Sequence, residues 1–162
     1  MTSKPDKITF KRLTTVPPAT LVEHMNDPRI AAHMPLLTGP WNEQAALDFV
    51  SAKETCWQRD GLGHWAIYVA GTYAGWGGFQ KEGDVWDFGL VLTADAFGLG
   101  LTITQKAIAF AKADDRIPFI TFLLPPSRTK LAALKRLGAE LTGEISLQGY
   151  PFNQYRMDTL AP

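Results

Sequence analysis

The chain has 162 residues, with 16 Lys and Arg against 16 Asp and Glu and a single cysteine, Cys56. That length suits one core and leaves little room for a second, so residues 1–162 read as one domain. Balanced charge without a Lys/Arg run argues against a nucleic-acid or anionic-membrane binder, and one thiol excludes an internal disulfide and a cysteine-based zinc site.

Residues 1–6 lack an apolar stretch of signal-peptide length, and no run of about 18 apolar residues offers a membrane span. A cytoplasmic protein is expected. Residues 8–13 (ITFKRL) alternate as a half-buried strand does, and Pro17-Pro18 then opens a short helix toward Asn26. Asp27-Pro28 reads as a turn. From Asn42, a suitable N-cap, residues 43–59 place Ala46, Phe49, Val50 and Trp57 on one helical face. Three β-rich runs follow at 65–70, 73–80 and 85–92, joined by Ala70-Gly71 and Glu82-Gly83-Asp84, which predicts an antiparallel meander. In the third run Trp86, Phe88, Leu90 and Leu92 share one face while Asp87 and Gly89 share the other.

A turn at Gly98-Leu99-Gly100 then leads into a helix to about Ala113, with Ile103, Ala107, Phe110 and Ala111 on its buried face. Residues 118–124 (PFITFLL) are apolar on both faces, as expected of a central strand. Leu131, Leu134 and Leu137 mark a last helix closed by Gly138, and a hairpin pairs residues 141–147 with 152–157. The predicted fold class is α/β in the α+β sense: a mixed, mostly antiparallel sheet flanked by helices, whose meander passes through a crossover helix into a parallel neighbour.

Three Gly-x-Gly pairs occur, at 61/63, 75/77 and 98/100. Only the last leaves a strand and opens a long amphipathic helix, where free N–H groups and the positive helix end favour phosphate. A strand-to-helix turn without a ligand is the alternative reading of that feature.

Asp87-Phe88-Gly89 with Leu90-Val91-Leu92, the aromatic-Gly-x-Gly of Phe97-Gly98-Leu99-Gly100, and Leu137-Gly138 at the end of the last helix together resemble the GNAT N-acetyltransferase superfamily. Met34-Pro35 and Trp65-Ala66-Ile67 extend the likeness over nearly the whole chain, and it is most similar to the branch containing ribosomal-protein N-terminal acetyltransferases. The resemblance implies acetyl-CoA held where the parallel strand pair splays. Pantetheine would bond to the backbone of Leu90, Val91 and Leu92, and pyrophosphate to the amides of Phe97, Gly98, Leu99, Gly100, Leu101 and Thr102. Four positions, in three places, differ from the family pattern. Asp95 replaces a frequent Gln or Arg, Ser127 and Lys130 stand where Asn and Ser are common near the thiol, and Ala139 replaces Phe.

The implied activity is acetyl transfer to a primary amine, a protein N-terminus or a small molecule, by direct attack in a ternary complex without a metal. Deprotonating an α-amino group with pKa near 8 costs about 1 kcal/mol at pH 7, against about 4.6 for a lysine. Asp87 matches the family's strand glutamate and is the candidate base; an Asp that only bonds a turn is the structural alternative. The family's acid near the last helix is often a tyrosine, absent from residues 127–138, which leaves Ser127, Tyr150 or Tyr155, or departure of the thiolate unaided. His24, His33 and His64 lack metal-ligand spacing, Cys56 reads as a packed thiol, and the five tryptophans read as core and pocket walls. His64 either faces the acceptor or is a hydrogen-bonded structural histidine. A coenzyme A-binding module without catalysis is the competing function. Oligomeric state stays open, a homodimer included.

Overall fold

The computed structural model describes residues 7–32, 34, 39–128 and 131–159. Pro35, Lys130 and the first six residues, on which expectations above rest, lie outside them. The elements run β1 (Ile8–Lys11), α1 (Pro18–Met25), α2 (Pro28–Ala31), α3 (Glu43–Asp60), β2 (His64–Val69), β3 (Thr72–Glu82), β4 (Val85–Leu92), a 3-10 helix (Ala94–Leu99), α4 (Gly100–Lys112), β5 (Phe119–Leu124), α5 (Ala132–Arg136), β6 (Glu140–Leu147) and β7 (Tyr150–Asp158). A further 3-10 turn, Leu13–Thr15, follows β1. Among the described residues, no helix is long and apolar enough to cross a membrane.

Seven strands form one sheet in the order β1-β2-β3-β4-β5-β7-β6. Every neighbouring pair is antiparallel except β4 and β5, which run parallel on either side of the α4 crossover. The mixed sheet and its single parallel pair agree with the sequence reading. Two helix boundaries also follow local chemistry. Asn42 Oδ1 accepts from Ala45 N at 2.8 Å to start α3, and Gly61 ends it at φ +74. The expected turn at Asp27-Pro28 is instead the start of a one-turn helix: Asp27 Oδ1 caps Arg29 N at 2.9 Å, and Pro28 supplies a preset first helical φ.

The sheet separates two cores. On one face Trp65, Phe79, Trp86, Phe88 and Ile120 pack with Ala107, Ile108 and Ala111 of α4. On the other, Ala66 and Trp76 meet Leu21 and Met25 of α1 and Ala46 of α3. Burying a large side chain such as Phe79, which is fully enclosed, contributes about 1.5–3 kcal/mol, so α4 and the sheet hold each other firmly. Phe110 is the exception to the predicted α4 face: it stays partly exposed while its ring meets Trp65 edge-on.

Candidate functional site

The parallel ladder of β4 and β5 has three rungs, Trp86↔Ile120, Asp87↔Thr121 and Phe88↔Phe122, and then stops. Both strands continue, β4 to Leu92 and β5 to Leu124. Over that stretch β4 pairs only with β3, through Gly89, Leu90, Val91 and Leu92, and β5 pairs only with β7, through Leu123 and Leu124. A wedge therefore opens from Phe88 and Phe122 toward the start of α4. Leu90 and Val91 line it half-buried, and Leu92 is buried.

At its mouth the structure distinguishes the three Gly-x-Gly pairs. Gly61 is a left-handed helix cap, and a Cβ at Gly63 would lie 2.8 Å from the Trp57 ring. Gly75 has φ +146, and a Cβ there would fall 2.4 Å from Val91 O, so glycine lets β3 press against β4. Gly98 and Gly100 have no such reason. Neither has a positive φ; a Cβ on Gly98 would meet nothing within 4 Å, and one on Gly100 only Leu92 Cδ1 at 3.8 Å. What glycine leaves at those two positions is bare backbone facing open space.

The junction differs from the predicted turn. Thr93 leads into the 3-10 helix, Ala96 N bonds Thr93 O at 2.9 Å, and Gly100 N bonds Phe97 O as α4 begins. Ala94 and Ala96 are helix-compatible small residues, so the chain closes i→i+3 bonds directly after the strand. Not every amide from Phe97 to Thr102 is thus free in this conformation. Still, α4 itself begins with neither a capping side chain nor an acidic residue in its first turn, while Asp95 stands in the first turn of the 3-10 helix that runs into it. Phe97, Gly98 and Leu101 are exposed there, while Leu99, Gly100 and Thr102 are half-buried.

Asp95, one of the departures from the family pattern, lines a cavity of about 490 Å³ between the 3-10 helix, α1 and the β2–β3 turn, together with Arg29, His24 and Tyr73. The Arg29 guanidinium's pKa is raised chiefly by its hydrogen bonds and ion pair with Asp27, and in smaller part by the Asp95 charge. His24 Nδ1 and Tyr73 Oη lie 2.8 Å apart in the cavity wall, and burial lowers the histidine's pKa and raises the tyrosine's.

One rung below the wedge, Thr121 Oγ1 donates to Asp87 Oδ1 at 2.7 Å. Burial nevertheless raises the Asp87 carboxyl to about 6, with the Thr121 bond working in the opposite direction. Gln80 stands beside Asp87 in the ladder, accepts from Lys53 Nζ at 2.8 Å and donates to Glu82 Oε1 at 2.8 Å. The Lys53 ammonium lies over the Trp76 ring at 5.2 Å, and burial lowers its pKa. His64, 7% exposed, is on the same sheet face: its row runs His64↔Gly78 and Gly78↔Gly89. Burial first, and the Lys53 charge second, hold its imidazole well below the ordinary histidine range. Sequence reasoning missed Thr121, Lys53 and Gln80. Two signals were present: Thr121 is the one hydroxyl in an otherwise apolar strand, and Lys53 interrupts the Phe49–Trp57 stripe of α3.

Ser127 is exposed and borders a second cavity, of about 250 Å³, with Ala31, Tyr150 and Pro125, Pro126 and Pro151. Tyr150 is half-exposed at the hairpin, and Tyr155 is buried in the α4-side core. Cys56 is half-buried, 3.8 Å from Arg59 Nη2. Among the described residues no group of three or more His, Cys, Asp or Glu is placed to hold a metal ion.

No protein-family model matches the chain, and no curated protein matches it in sequence. Solved structures do match its fold. A protein of Bordetella pertussis assigned to the GNAT acetyltransferase family superposes with TM-score 0.74 at 17% identity, over 95% of this chain and 97% of that one. The microcin C7 self-immunity acetyltransferase, in complex with acetyl-CoA and AMP, gives 0.74 at 19% identity, over 94% and 93%. A ribosomal L7/L12 alpha-N-protein acetyltransferase in complex with coenzyme A gives 0.73 at 14% identity, over 94% and 94%. The ribosomal-protein branch is thus one of several with comparable likeness. The chain has the fold of the GNAT acetyltransferases.

Proposed function

We propose that the chain is one acyltransferase unit that binds acetyl-CoA in the wedge between β4 and β5 and transfers the acetyl group to a primary amine. The observation that carries this reading is the pair Gly98 and Gly100, which neither backbone conformation nor packing requires, placed at the uncapped start of α4 where the wedge opens. Diphosphate would approach the backbone from Phe97 to Thr102 through the space those glycines leave. Pantetheine would run along the β4 edge at Leu92, Val91 and Leu90, which has no strand partner on the β5 side. That direction sends the thioester toward Gly89 and Asp87. Asp95 lines the cavity that also holds Arg29, where its charge is partly answered. Ser127 would sit near the thiol end.

With its carboxyl raised to about 6, Asp87 is ionised at neutral pH yet basic enough to receive a proton, directly or through a water. The amine nitrogen attacks the thioester carbonyl, a C–N bond forms, the C–S bond breaks, Asp87 receives the amine's proton and the thiolate leaves. Ser127 is the remaining candidate donor to that thiolate. The acceptor is a small-molecule or peptide amine in this reading.

The test is incubation of the purified protein with acetyl-CoA and a panel of peptides, amino acids, polyamines and aminoglycosides, following thiol release and melting temperature together. Stabilisation with amine-dependent thiol release supports the enzyme. Stabilisation with no turnover leaves the non-catalytic coenzyme A-binding module in its place.

A further inference from the structure

The Cε1–Nε2 edge of the His64 ring borders the open space above Gly89: a Cβ placed on that glycine would lie 3.6 Å from Cε1 and 3.7 Å from Nε2, with no other atom within 4 Å. Gly89 is the first β4 residue beyond the last rung shared with β5. A substrate atom lying about half an ångström or more closer to the ring than that position would come within hydrogen-bonding range of Nε2. The other ring nitrogen, Nδ1, is sealed from solvent and has no hydrogen-bond partner among the described residues. A buried N–H without an acceptor is rarer in folded proteins than an under-satisfied acceptor, so the ring proton belongs on Nε2, facing the vertex.

The residue is anchored at its backbone and packed on one ring face. Trp57 Nε1 donates to His64 O at 2.9 Å, and the Trp76 ring lies 5.5 Å from the imidazole. The charged groups around it are Lys53 from α3, Asp87 one same-face step along β4 at about 6.5–7 Å from Gly89, and Glu82 at the far end of Gln80 on β3. Lys53 opposes a second positive charge on the ring, and Asp87 is better placed to take a proton than His64 is.

We infer that His64 is a catalytic residue that acts as a neutral hydrogen-bond donor, its Nε2–H aimed at the thioester oxygen during acetyl transfer. This rests on the acetyltransferase reading above. When the amine attacks, the carbonyl electron pair moves onto that oxygen, which gains charge and accepts more strongly from Nε2–H. When the C–S bond breaks the pair returns and the amide carbonyl forms. His64 exchanges no proton; the amine's proton goes to Asp87. A donor aimed at developing charge in a water-poor site is a large catalytic contribution, and losing one lowers kcat by about 10²–10³-fold.

The test compares His64→Phe and His64→Gln with the wild type on an amine that the wild type acetylates. Phe removes the donor; Gln keeps an N–H of similar reach that does not titrate. H64F should lose about 10²-fold in kcat with KM for acetyl-CoA little changed, H64Q should recover most of the loss, and the acidic limb of the rate profile should stay where Asp87 sets it. H64F within threefold of wild type, or H64Q as impaired as H64F, overturns the inference. Should H64F fail to fold, the 15N shifts of the wild-type imidazole decide: a neutral ring protonated at Nε2 at pH 7 agrees, and an imidazolium or an Nδ1–H form contradicts. A wild type that acetylates no amine removes the acetyltransferase reading itself, whereas an active wild type with an indifferent His64 removes only this inference.

Discussion

Thr121 Oγ1 and Asp87 Oδ1 are joined at 2.7 Å across the middle rung of the parallel β4–β5 pair, one residue short of where the strands part. That placement buries the carboxylate enough to raise it to about 6, yet leaves it beside the wedge. A general base is most useful with a pKa close to the working pH, and here the fold supplies the shift that an ordinary aspartate lacks.

The first consequence is kinetic. With a saturating amine, kcat should climb as pH rises through about 6 as Asp87 ionises. D87N should lack that limb and lose about 10²–10⁴-fold in kcat. Initial rates of thiol release from pH 5 to 8 check both. An unchanged limb in D87N would assign the titration to another group.

The second is thermodynamic and has the opposite sign. A carboxyl whose pKa is raised on folding contributes stability below its unfolded value and loses it as pH rises through its folded value. Asp87 therefore costs stability above pH 6, at most about 3 kcal/mol for a shift of roughly two units. D87N, whose amide oxygen can still accept from Thr121, should melt higher than wild type at pH 7.5. The difference should shrink toward pH 4, as paired thermal melts would show.

Thr121→Val isolates the hydrogen bond. The Thr121 hydroxyl favours the ionised carboxylate, so its removal should move the acidic limb of the rate profile to higher pH while coenzyme A affinity is retained. A limb that stays in place would mean that the bond does not hold in the working enzyme.

The glycines at the start of α4 separate folding from binding. Gly98→Ala and Gly100→Ala meet open space and a helical backbone, so each should leave the ligand-free melting temperature unchanged or raise it, by up to about 1 kcal/mol in stability. The same methyl groups would stand between diphosphate and backbone, and coenzyme A affinity should fall about tenfold or more, about 1.4 kcal/mol. Gly75→Ala should do the reverse in part, destabilising the protein by pushing β3 from β4. Melting curves and calorimetric titrations of the three variants give the comparison.

Much of this was legible beforehand because it is written in local periods. The alternation from Trp86 to Leu92 places Asp87 opposite the bulky stripe, and residues 118–124 read as central because both faces are apolar. Gly98-Leu99-Gly100 spells a turn, whereas Ala94 and Ala96, which let the 3-10 helix form, carry a weaker signal. The cluster of Thr121, Lys53, Gln80 and His64 was not legible as a cluster. It arises from strand register across β2 to β5 and from the seat of α3 on the sheet, and no local pattern encodes either. Three spellings of Gly-x-Gly were equal in sequence, and only the packing around each told them apart.

The central claim, that the wedge between β4 and β5 seats acetyl-CoA, is tested most directly by titrating the 15N-labelled protein with coenzyme A and following its backbone amides. The expected result is saturable shifts at Leu90, Val91 and Leu92 and from Phe97 to Thr102, with β1 and β6 undisturbed. No shift at millimolar coenzyme A, or shifts confined to the cavity walled by His24, Tyr73 and Asp95, would contradict it.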